Sequence, residues 1–394
     1  MNKLHRPLVL AVLIGFSFPL TMSAQARGYA ETDLVVNKKV NNVPTLVDSH
    51  GVTHIAQFFD PNLVNPWGIA ESGTSPFWIA DNGAGVSTLY NTAGTPQSLI
   101  VSIPSLADLL GTGGTPTGAV FNIVPNPPGA FILSGFNAAG NPASAPAIFL
   151  FATEEGTILG WNPGVNPAGF DPAKAGKYAI IAVNNSPGAV YKGLAIATDT
   201  GGTTRLYAAN FRSGTVDVFD TLFHPVTSVN AFVDPQLPRG YAPFNIVPIT
   251  MNGTTRMFVT YAVQDAGKHD DVAGESHGIV NTFHLDGSMP QRFAQHGQLN
   301  SPWGVALAPA GFGTLGGTLW IGNFGNGHID AYDPLTGEFI DKVRDSHGQA
   351  AVVIDGLWSI KFGNGGNGGS VNKLYFTAGV NGEMDGMFGS LDSQ

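Results

Sequence analysis

The sequence predicts an all-β protein, a six-bladed β-propeller, and three observations support this prediction. Glycine and proline account for 52 and 27 of the 394 residues, whereas only 12% of the residues are charged. This composition suits many short strands joined by tight turns. Two apolar landmarks each recur six times along the chain. Repeats of this length, with Gly, Asn and Asp at the turns, are typical of blades of four antiparallel strands.

The first landmark is a five-residue run in which a small residue follows a turn and precedes an apolar pair. We interpret this run as the innermost strand of each blade. Its copies are PWGIA at 66, PTGAV at 116, YKGLA at 191, PFNIV at 243, PWGVA at 302 and LWSIK at 357. One such repeat cannot bury both faces of a small sheet, so the blades must pack around a central axis. We expect the tryptophans to pack between blades, namely Trp67, Trp78, Trp161, Trp303, Trp320 and Trp358.

The second landmark is an apolar run that follows a turn and ends in a polar residue, and we interpret it as the second strand of each blade. Its copies are FWIADNG at 77, FLFATEEG at 149, RLYAANF at 205, RMFVTYA at 256, TLWIGNF at 318 and KLYFTAG at 373. Consecutive antiparallel strands turn at alternating ends of a blade. The starts of the first strands and the ends of the second strands should therefore meet at one mouth of the channel, which we call the funnel face.

The ring should close through the N-terminal part of the chain. The last blade shows three strand signals, LWSIKF, KLYFTAG and a run near GMFGSL. The β-branched run TDLVVNK, residues 32–38, precedes the first blade and belongs to none of the repeats. We expect it to form the outer strand of the last blade, where it would pair with the C-terminal strand and cover an open edge.

The first 26 residues have the pattern of a signal peptide. Lys3 and Arg6 precede an apolar run of 16 residues, and small residues follow at Ala24 and Ala26. We predict cleavage after Ala26 and a single propeller domain over residues 27–394. The protein is then exported, periplasmic or extracellular, without stable insertion in a membrane. Cysteine is absent, so burial has to stabilise the fold without disulfides.

The charge of the chain narrows the classes of partner. The formal net charge is −10 at pH 7, and removal of the basic signal peptide makes it more negative. An acidic protein repels nucleic acid and anionic lipid. No sequence motif indicates a nucleotide or a haem. We therefore expect a monomer that binds a small molecule, a peptide or a glycan at the funnel face, and no nucleic acid.

Two levels of resemblance to known families accompany this pattern. The stretch NPWGIA…FWIADNGAGVSTLYN, residues 65–91, resembles an NHL-type repeat, which runs from a Pro-x-Gly-apolar strand to an apolar strand ending in Ala-Asp-x-Gly. Through DPNLVNPWGIA, FATEEGTILGWNP and KHDDVAG the chain resembles an uncharacterised family of exported bacterial proteins with six such blades. The resemblance implies the propeller fold and export, and it supplies no activity.

Oxygen-bearing side chains at the strand ends of different blades could hold a metal ion. Ca²⁺ takes six to eight oxygen ligands with flexible geometry. The candidate metal ligands are Asn82, Glu154, Asn210, Asn245 and Asn323. The alternative is turn chemistry, because Asn and Asp side chains often hydrogen-bond to nearby backbone groups.

A charged segment interrupts the fourth blade in a chain that is otherwise poor in charge. The segment YAVQDAGKHDDVAGESHG, residues 261–278, connects the second and third strands on the funnel face. Loops held by a rigid scaffold often carry function. The candidate ligand-binding residues are Lys192, Arg212, Gln264, Asp265, Lys268, His269, Asp270 and Asp271. The alternative is a solvated loop with internal salt bridges.

Two classes of function agree with these features, and the sequence leaves open whether the chain is an enzyme. The first is a binding or scaffold propeller that holds a ligand or a cell-envelope partner at its funnel face. The alternative is a lactonase-like, Ca²⁺-dependent hydrolase or lyase, in which an axial metal polarises a carbonyl group. The motif GESHG at 274 lacks the strand-to-helix context that a nucleophile elbow needs. The absence of a catalytic motif favours the binding protein.

Overall fold

The computed structural model describes residues 28–124, 129–228 and 231–394. The predicted signal peptide lies outside these residues. The described part of the chain forms 29 β-strands and three short 3₁₀ helices, Asn82–Ala84, Pro172–Lys174 and Gly313–Leu315. Across the same residues, no helix is both long and apolar enough to cross a bilayer.

Five strands precede the first blade. They are β1 (Tyr29–Val36), β2 (Lys39–Val40), β3 (Val43–Val47), β4 (Thr53–Ile55) and β5 (Phe58–Phe59). Strands β2, β3 and β4 form a small antiparallel sheet outside the ring, whereas β1 and β5 join the last blade.

The first three blades follow one another along the chain. Blade 1 contains β6 (Pro66–Ala70), β7 (Phe77–Asp81), β8 (Val86–Tyr90) and β9 (Val101–Ser102). Blade 2 begins with β10 (Pro116–Phe121), carries an inserted hairpin of β11 (Ile132–Phe136) and β12 (Pro142–Pro146), and continues with β13 (Phe149–Thr153), β14 (Thr157–Trp161) and β15 (Ile180–Asn184). Blade 3 has three strands among the described residues, β16 (Tyr191–Thr198), β17 (Thr204–Asn210) and β18 (Thr215–Phe219).

The other three blades complete the ring. Blade 4 contains β19 (Tyr241–Met251), β20 (Thr254–Val263), β21 (Ile279–Phe283) and β22 (Gln291–Gln295). Blade 5 contains β23 (Pro302–Leu307), β24 (Leu319–Asn323), β25 (Ile329–Tyr332) and β26 (Phe339–Lys342). Blade 6 contains β27 (Leu357–Phe362), β28 (Leu374–Ala378) and β29 (Met387–Ser393). The first and second strands of all six blades coincide with the two landmarks, which confirms the predicted six-bladed propeller.

Strand β1 closes the ring as the sequence predicts. It pairs antiparallel with β29, from Tyr29 opposite Ser393 to Val36 opposite Met387. One detail of the prediction is wrong, because β1 is not the outermost strand of blade 6. Strand β5 pairs in parallel with β1, with Phe58 opposite Val35, and forms the edge of a five-stranded sheet. The additional strand protects the backbone of β1, whose last residues are fully buried.

The small residue in the first landmark is needed where neighbouring innermost strands approach each other around the channel. A Cβ atom added to Gly118 would lie 2.3 Å from the backbone nitrogen of Leu194 in blade 3. A Cβ atom on Gly68 would lie 2.6 Å from the carbonyl oxygen of Thr117 in blade 2. Backbone therefore packs against backbone from blade to blade, and this contact explains why the motif recurs.

We expect Gly118→Ala to destabilise the protein by about 1–3 kcal/mol, since the neighbouring backbone has to move away from the added methyl group. Gly73→Ala is the matched control, because a Cβ atom there meets nothing within 4 Å. The free energy of unfolding in urea measures both changes. Equal effects of the two substitutions would contradict the close backbone contact.

The six tryptophans are buried in two different places. Trp78 and Trp161 pack between blades 1 and 2, and Trp320 packs between blades 5 and 6, as expected. Trp67, Trp303 and Trp358 instead lie together on the axis, where the rings of Trp67 and Trp358 stack with their centroids 3.5 Å apart. Trp303 meets both of these rings edge-on. We call these three residues, together with Phe244, the axial aromatic plug.

Candidate functional site

A polar cluster lies against the axial aromatic plug at the funnel face. We define the axial polar cluster by its members Asn65, Asn82, Glu154, Lys192, Asp270 and Glu383, which come from blades 1, 2, 3, 4 and 6. The ammonium nitrogen of Lys192 lies 5.1 Å from the centroid of the Trp67 ring. The cluster therefore borders the plug directly.

Lys192 lies at the centre of this cluster. It is the second residue of the landmark in blade 3, a position that the other blades fill with Trp67, Thr117, Phe244, Trp303 and Trp358. Its Nζ donates to Oε1 of Glu154 at 2.5 Å and to Oδ1 of Asp270 at 3.1 Å. Burial alone would lower the pKa of Lys192, but the charge of Glu154 and its hydrogen bond, together with Asp270, outweigh burial and raise it. Lys192 is therefore a buried cation.

A chain of hydrogen bonds links Glu154 to blades 1 and 6. Asn82 Nδ2 donates to Oε2 of Glu154 at 2.9 Å, and Asn65 Nδ2 donates to the side-chain oxygen of Asn82 at 3.2 Å. Asn65 Nδ2 also donates to Oε2 of Glu383 at 2.7 Å, and its oxygen accepts from Trp358 Nε1 at 3.0 Å. Asn65 precedes a first strand, and Asn82, Glu154 and Glu383 follow second strands. The starts of the first strands and the ends of the second strands thus lie at one mouth of the channel, as predicted.

Negative charge is in excess within the cluster. The cluster contains three carboxylates, of which Glu154 and Asp270 pair with the ammonium group of Lys192, whereas Glu383 accepts a hydrogen bond from Asn65. Burial raises the pKa of Glu383, and the charge of Glu154 raises it further, against the hydrogen bond from Asn65. Burial would also raise the pKa of Asp270, but Lys192 and His269 hold it below its ordinary value. Lys192 therefore compensates the negative charges of Glu154 and Asp270 better than that of Glu383.

The charged segment of blade 4 is held in shape by its own hydrogen bonds. The carboxylate of Asp265 accepts from the backbone N–H groups of His269 at 2.7 Å and Asp270 at 3.2 Å. Gln264 Nε2 donates to the carbonyl oxygen of Phe211 at 2.5 Å and anchors the segment to blade 3. His269 Nδ1 lies 2.9 Å from Oδ1 of Asp270. The loop thus presents Asp270 to Lys192.

The other predicted ligand-binding residues lie outside the axial polar cluster. Arg212 donates from Nη1 to the carbonyl oxygen of Pro187 at 3.0 Å. Lys268 is exposed and adopts a φ of 53° at the tip of the loop. Asp271 is partly exposed, and burial of its carboxyl group raises its pKa. The structure therefore brings together Lys192, Asp270 and His269 from this group.

The side-chain oxygens of the five predicted metal ligands are already engaged in hydrogen bonds in most cases. The side-chain oxygens of three of them accept backbone N–H groups, from Val190 and Ser213 at Asn210, from Ile246 at Asn245 and from Asn300 at Asn323. Asn82 and Glu154 do lie together, but both oxygens of Glu154 are engaged, one by Lys192 and one by Asn82. This donor set does not offer the six to eight free oxygens that Ca²⁺ prefers.

Two groups of acidic and histidine side chains among the described residues could hold a metal ion. One is formed by Glu154, His269 and Asp270 and belongs to the funnel face. The other is formed by Glu31, Asp33 and His54 and lies outside the ring of first strands. In each group the ligand atoms lie within 4.8 Å of one another.

Two members of the axial polar cluster, Asn65 and Glu383, are absent from the predicted site residues. Glu383 follows the second strand of blade 6, in the same kind of connection that carries Asn82 in blade 1 and Glu154 in blade 2. The position of Glu383 after the second landmark of blade 6 is therefore the sequence feature from which it could have been predicted. Asn65 directly precedes the first landmark, PWGIA, in blade 1.

Comparison with known proteins identifies relatives that cover most of the chain. No family model matches. The uncharacterized protein R648 of Acanthamoeba polyphaga mimivirus is 29% identical over 346 residues, which cover 86% of this chain and 77% of the relative. The uncharacterized protein L690 of the same virus is 30% identical over 345 residues, which cover 86% of this chain and 82% of the relative.

Solved structures similar to this one have low sequence identity. A streptogramin B lyase has a TM-score of 0.49 at 10% identity, covering 94% of this chain and all of that one. A gluconolactonase from Xanthomonas campestris has a TM-score of 0.38 at 15% identity, covering 68% of this chain and 87% of that one. Because propellers host many unrelated activities, neither name indicates what this chain acts on.

The sequence resemblance implied a bacterial family, and the relatives found correct this point, since both are proteins of Acanthamoeba polyphaga mimivirus. The match to L690 extends over 345 residues of the chain at 30% identity. The chain belongs to the same family as the uncharacterized mimivirus protein L690.

Proposed function

We propose that the protein is an exported binding protein whose axial polar cluster holds a ligand with a positively charged group. The observation that supports this proposal is the excess of carboxylates over cations at a largely buried site. Glu154 and Glu383 are connected through Asn82 and Asn65, and Lys192 bonds to Glu154 but not to Glu383. A ligand ammonium or guanidinium group could compensate Glu383, and hydrogen bonds to charged groups contribute about 1.5–3 kcal/mol each.

The side chains of the site are exposed on one side only, so a ligand would approach from that side. The side chain of Asp270 is 66% exposed and that of His269 is 41% exposed, whereas that of Lys192 is 3% exposed. The site therefore opens towards the funnel face and ends at Lys192. The stacked rings of Trp67 and Trp358 close the channel beneath it. A ligand with a terminal cation, such as the end of a peptide or an amino sugar of a glycan, would approach from this side.

A metal-dependent hydrolase or lyase is the second candidate function. The observation that favours it is the proximity of ligand atoms from Glu154, His269 and Asp270, all within 4.8 Å of one another. A divalent cation held there would polarise a carbonyl group of a substrate. Lys192 would have to release at least one of the two carboxylates to make room, because it bonds to both.

Binding of cationic and neutral probes tests the first candidate, with glucosamine and glucose as a pair of matched shape. Glucosamine and spermidine should raise the melting temperature of the mature protein, and glucose should not. Glu383→Gln should weaken binding of the cationic probes at least about tenfold, which corresponds to the loss of one hydrogen bond to a charged group. Glu275→Gln is the matched control, since Glu275 is an exposed carboxylate on the same face. Isothermal titration calorimetry gives the affinities.

The possible outcomes separate the two candidates. Equal binding of glucose and glucosamine, unaffected by Glu383→Gln, would contradict the proposal of a cationic ligand. Stoichiometric binding of Ca²⁺ or Mn²⁺ that is lost in His269→Gln would instead favour the metal-dependent enzyme.

A further inference from the structure

A second cluster of ionisable side chains lies outside the axial polar cluster, where the N-terminal strand meets the small outer sheet. Glu31 and Asp33 are two residues apart on β1, so they point to the same side of that strand. His54 lies on β4 and Asp48 precedes that strand. These four residues come from three separate stretches of chain that the fold brings together.

The distances within this cluster differ from those of charge-assisted hydrogen bonds. His54 Nδ1 lies 3.3 Å from both carboxylate oxygens of Asp33 and 3.9 Å from Oε1 of Glu31. Hydrogen bonds between ionised groups are typically about 2.7–2.9 Å long. Two ligands of one tetrahedral zinc ion, each about 2.0–2.1 Å from the metal, lie roughly 3.4 Å apart. The spacing thus fits ligands that share an ion.

The burial of His54 is a second, independent indication. The residue is only 7% exposed, and among the described residues its Nε2 has no hydrogen-bond partner. This nitrogen faces Oδ2 of Asp48 at 3.5 Å. With Nε2 directed at Asp48, the other ring nitrogen, Nδ1, is directed at Asp33 and Glu31.

We propose that Glu31, Asp33 and His54 bind a divalent transition-metal ion of the zinc class. His54 ligates through Nδ1, and its Nε2 faces the carboxylate of Asp48, the kind of partner that fixes the orientation of an imidazole in metal sites. One imidazole and two carboxylates neutralise a dication and leave a position for water. The ion joins β1 to β4 and thereby strengthens the closure of the ring.

Zinc binding to the untagged mature protein, first freed of metal with a chelator, tests this inference. We expect one Zn²⁺ per chain by calorimetry and a melting temperature that rises by several degrees on saturation. His54→Gln and Asp33→Asn should each weaken binding more than about 100-fold, and Asp48→Asn about 10- to 100-fold, as expected for a group that orients a ligand. His224→Gln is the control, because His224 is an exposed histidine whose Nδ1 lies 3.6 Å from Asp220.

A further variant separates this site from the funnel face. His269→Gln should leave the stoichiometry and affinity for Zn²⁺ unchanged. The inference is overturned if the wild-type protein binds no stoichiometric Zn²⁺, if His54→Gln and Asp33→Asn bind it as tightly as the wild type, or if binding disappears only in His269→Gln. Circular dichroism of each variant checks that a loss of binding does not come from unfolding.

Discussion

Deletion of residues 27–38 is expected to lower the melting temperature sharply and to promote aggregation. The deletion removes β1, which pairs with the C-terminal strand from Tyr29 opposite Ser393 to Val36 opposite Met387. Without it, β29 becomes an open edge with unpaired N–H and C=O groups, a surface that favours pairing with another chain. The ring also loses the contact that joins its two ends.

The expected effect is large because the side chains of β1 are part of the core. Tyr29, Leu34, Val35 and Val36 are all at most 4% exposed. Tyr29 packs edge-on against Trp320 of blade 5, and its hydroxyl donates to the carbonyl oxygen of Phe312. Burial of one such side chain contributes about 1.5–3 kcal/mol, and a whole domain is stable by only about 5–15 kcal/mol. Differential scanning calorimetry and light scattering measure the outcome.

A pair of single substitutions tests the same contact in a chain that keeps β1. Val36→Ala should destabilise the protein by about 1–3 kcal/mol, because Val36 is fully buried. Val40→Ala should change the stability by no more than about 0.5 kcal/mol, because Val40 is 52% exposed. A truncated protein that stays monomeric and melts within a degree or two of the mature chain would show that β1 does not close the ring.

The first and second strands of every blade could be predicted individually, and the physical reason lies in the repeat. PWGIA and FWIADNG return because every blade needs a small residue at the crowded channel and an apolar second strand. Strands that lie outside the repeated blades were harder to predict. Strand β5 has two residues and adds to β1 through tertiary contact, and no periodic signal marks it.

The candidate site was predicted only in part, because its members come from connections of different blades. Glu154 and Lys192 were both predicted, but in separate groups, as a metal ligand and as a ligand-binding residue. The structure joins them in an ion pair. A better signal was present in the aligned landmarks, where Lys192 occurs at a position that holds tryptophan in three other blades. The group around His54 has no such signal, since it lies outside the repeats.

Lys192→Met should be among the most destabilising single substitutions in the protein. The side chain of Lys192 is 3% exposed and that of Glu154 is 12% exposed, and their charged atoms are 2.5 Å apart. Methionine keeps an apolar chain of similar length beside Trp67, so the packing changes little. The substitution leaves Oε1 of Glu154 without its donor, and breaking a buried ion pair from one side costs about 3–5 kcal/mol. We expect a loss near the lower limit, about 3 kcal/mol, because Asp270 can turn towards solvent.

A double substitution shows whether this loss comes from the uncompensated charge or from altered packing. Glu154→Gln removes the carboxylate charge, so the variant with both substitutions should recover a large part of the stability that Lys192→Met loses, with a coupling energy of about 1–3 kcal/mol. Lys373→Met is the control, because Lys373 pairs with Asp392 at 2.8 Å with the two side chains 29% and 35% exposed, and such pairs contribute at most about 1 kcal/mol. Urea unfolding of the four proteins measures the cycle. If the two single effects simply add, or if Lys373→Met costs as much as Lys192→Met, the charge of Lys192 is not what holds the axial polar cluster together.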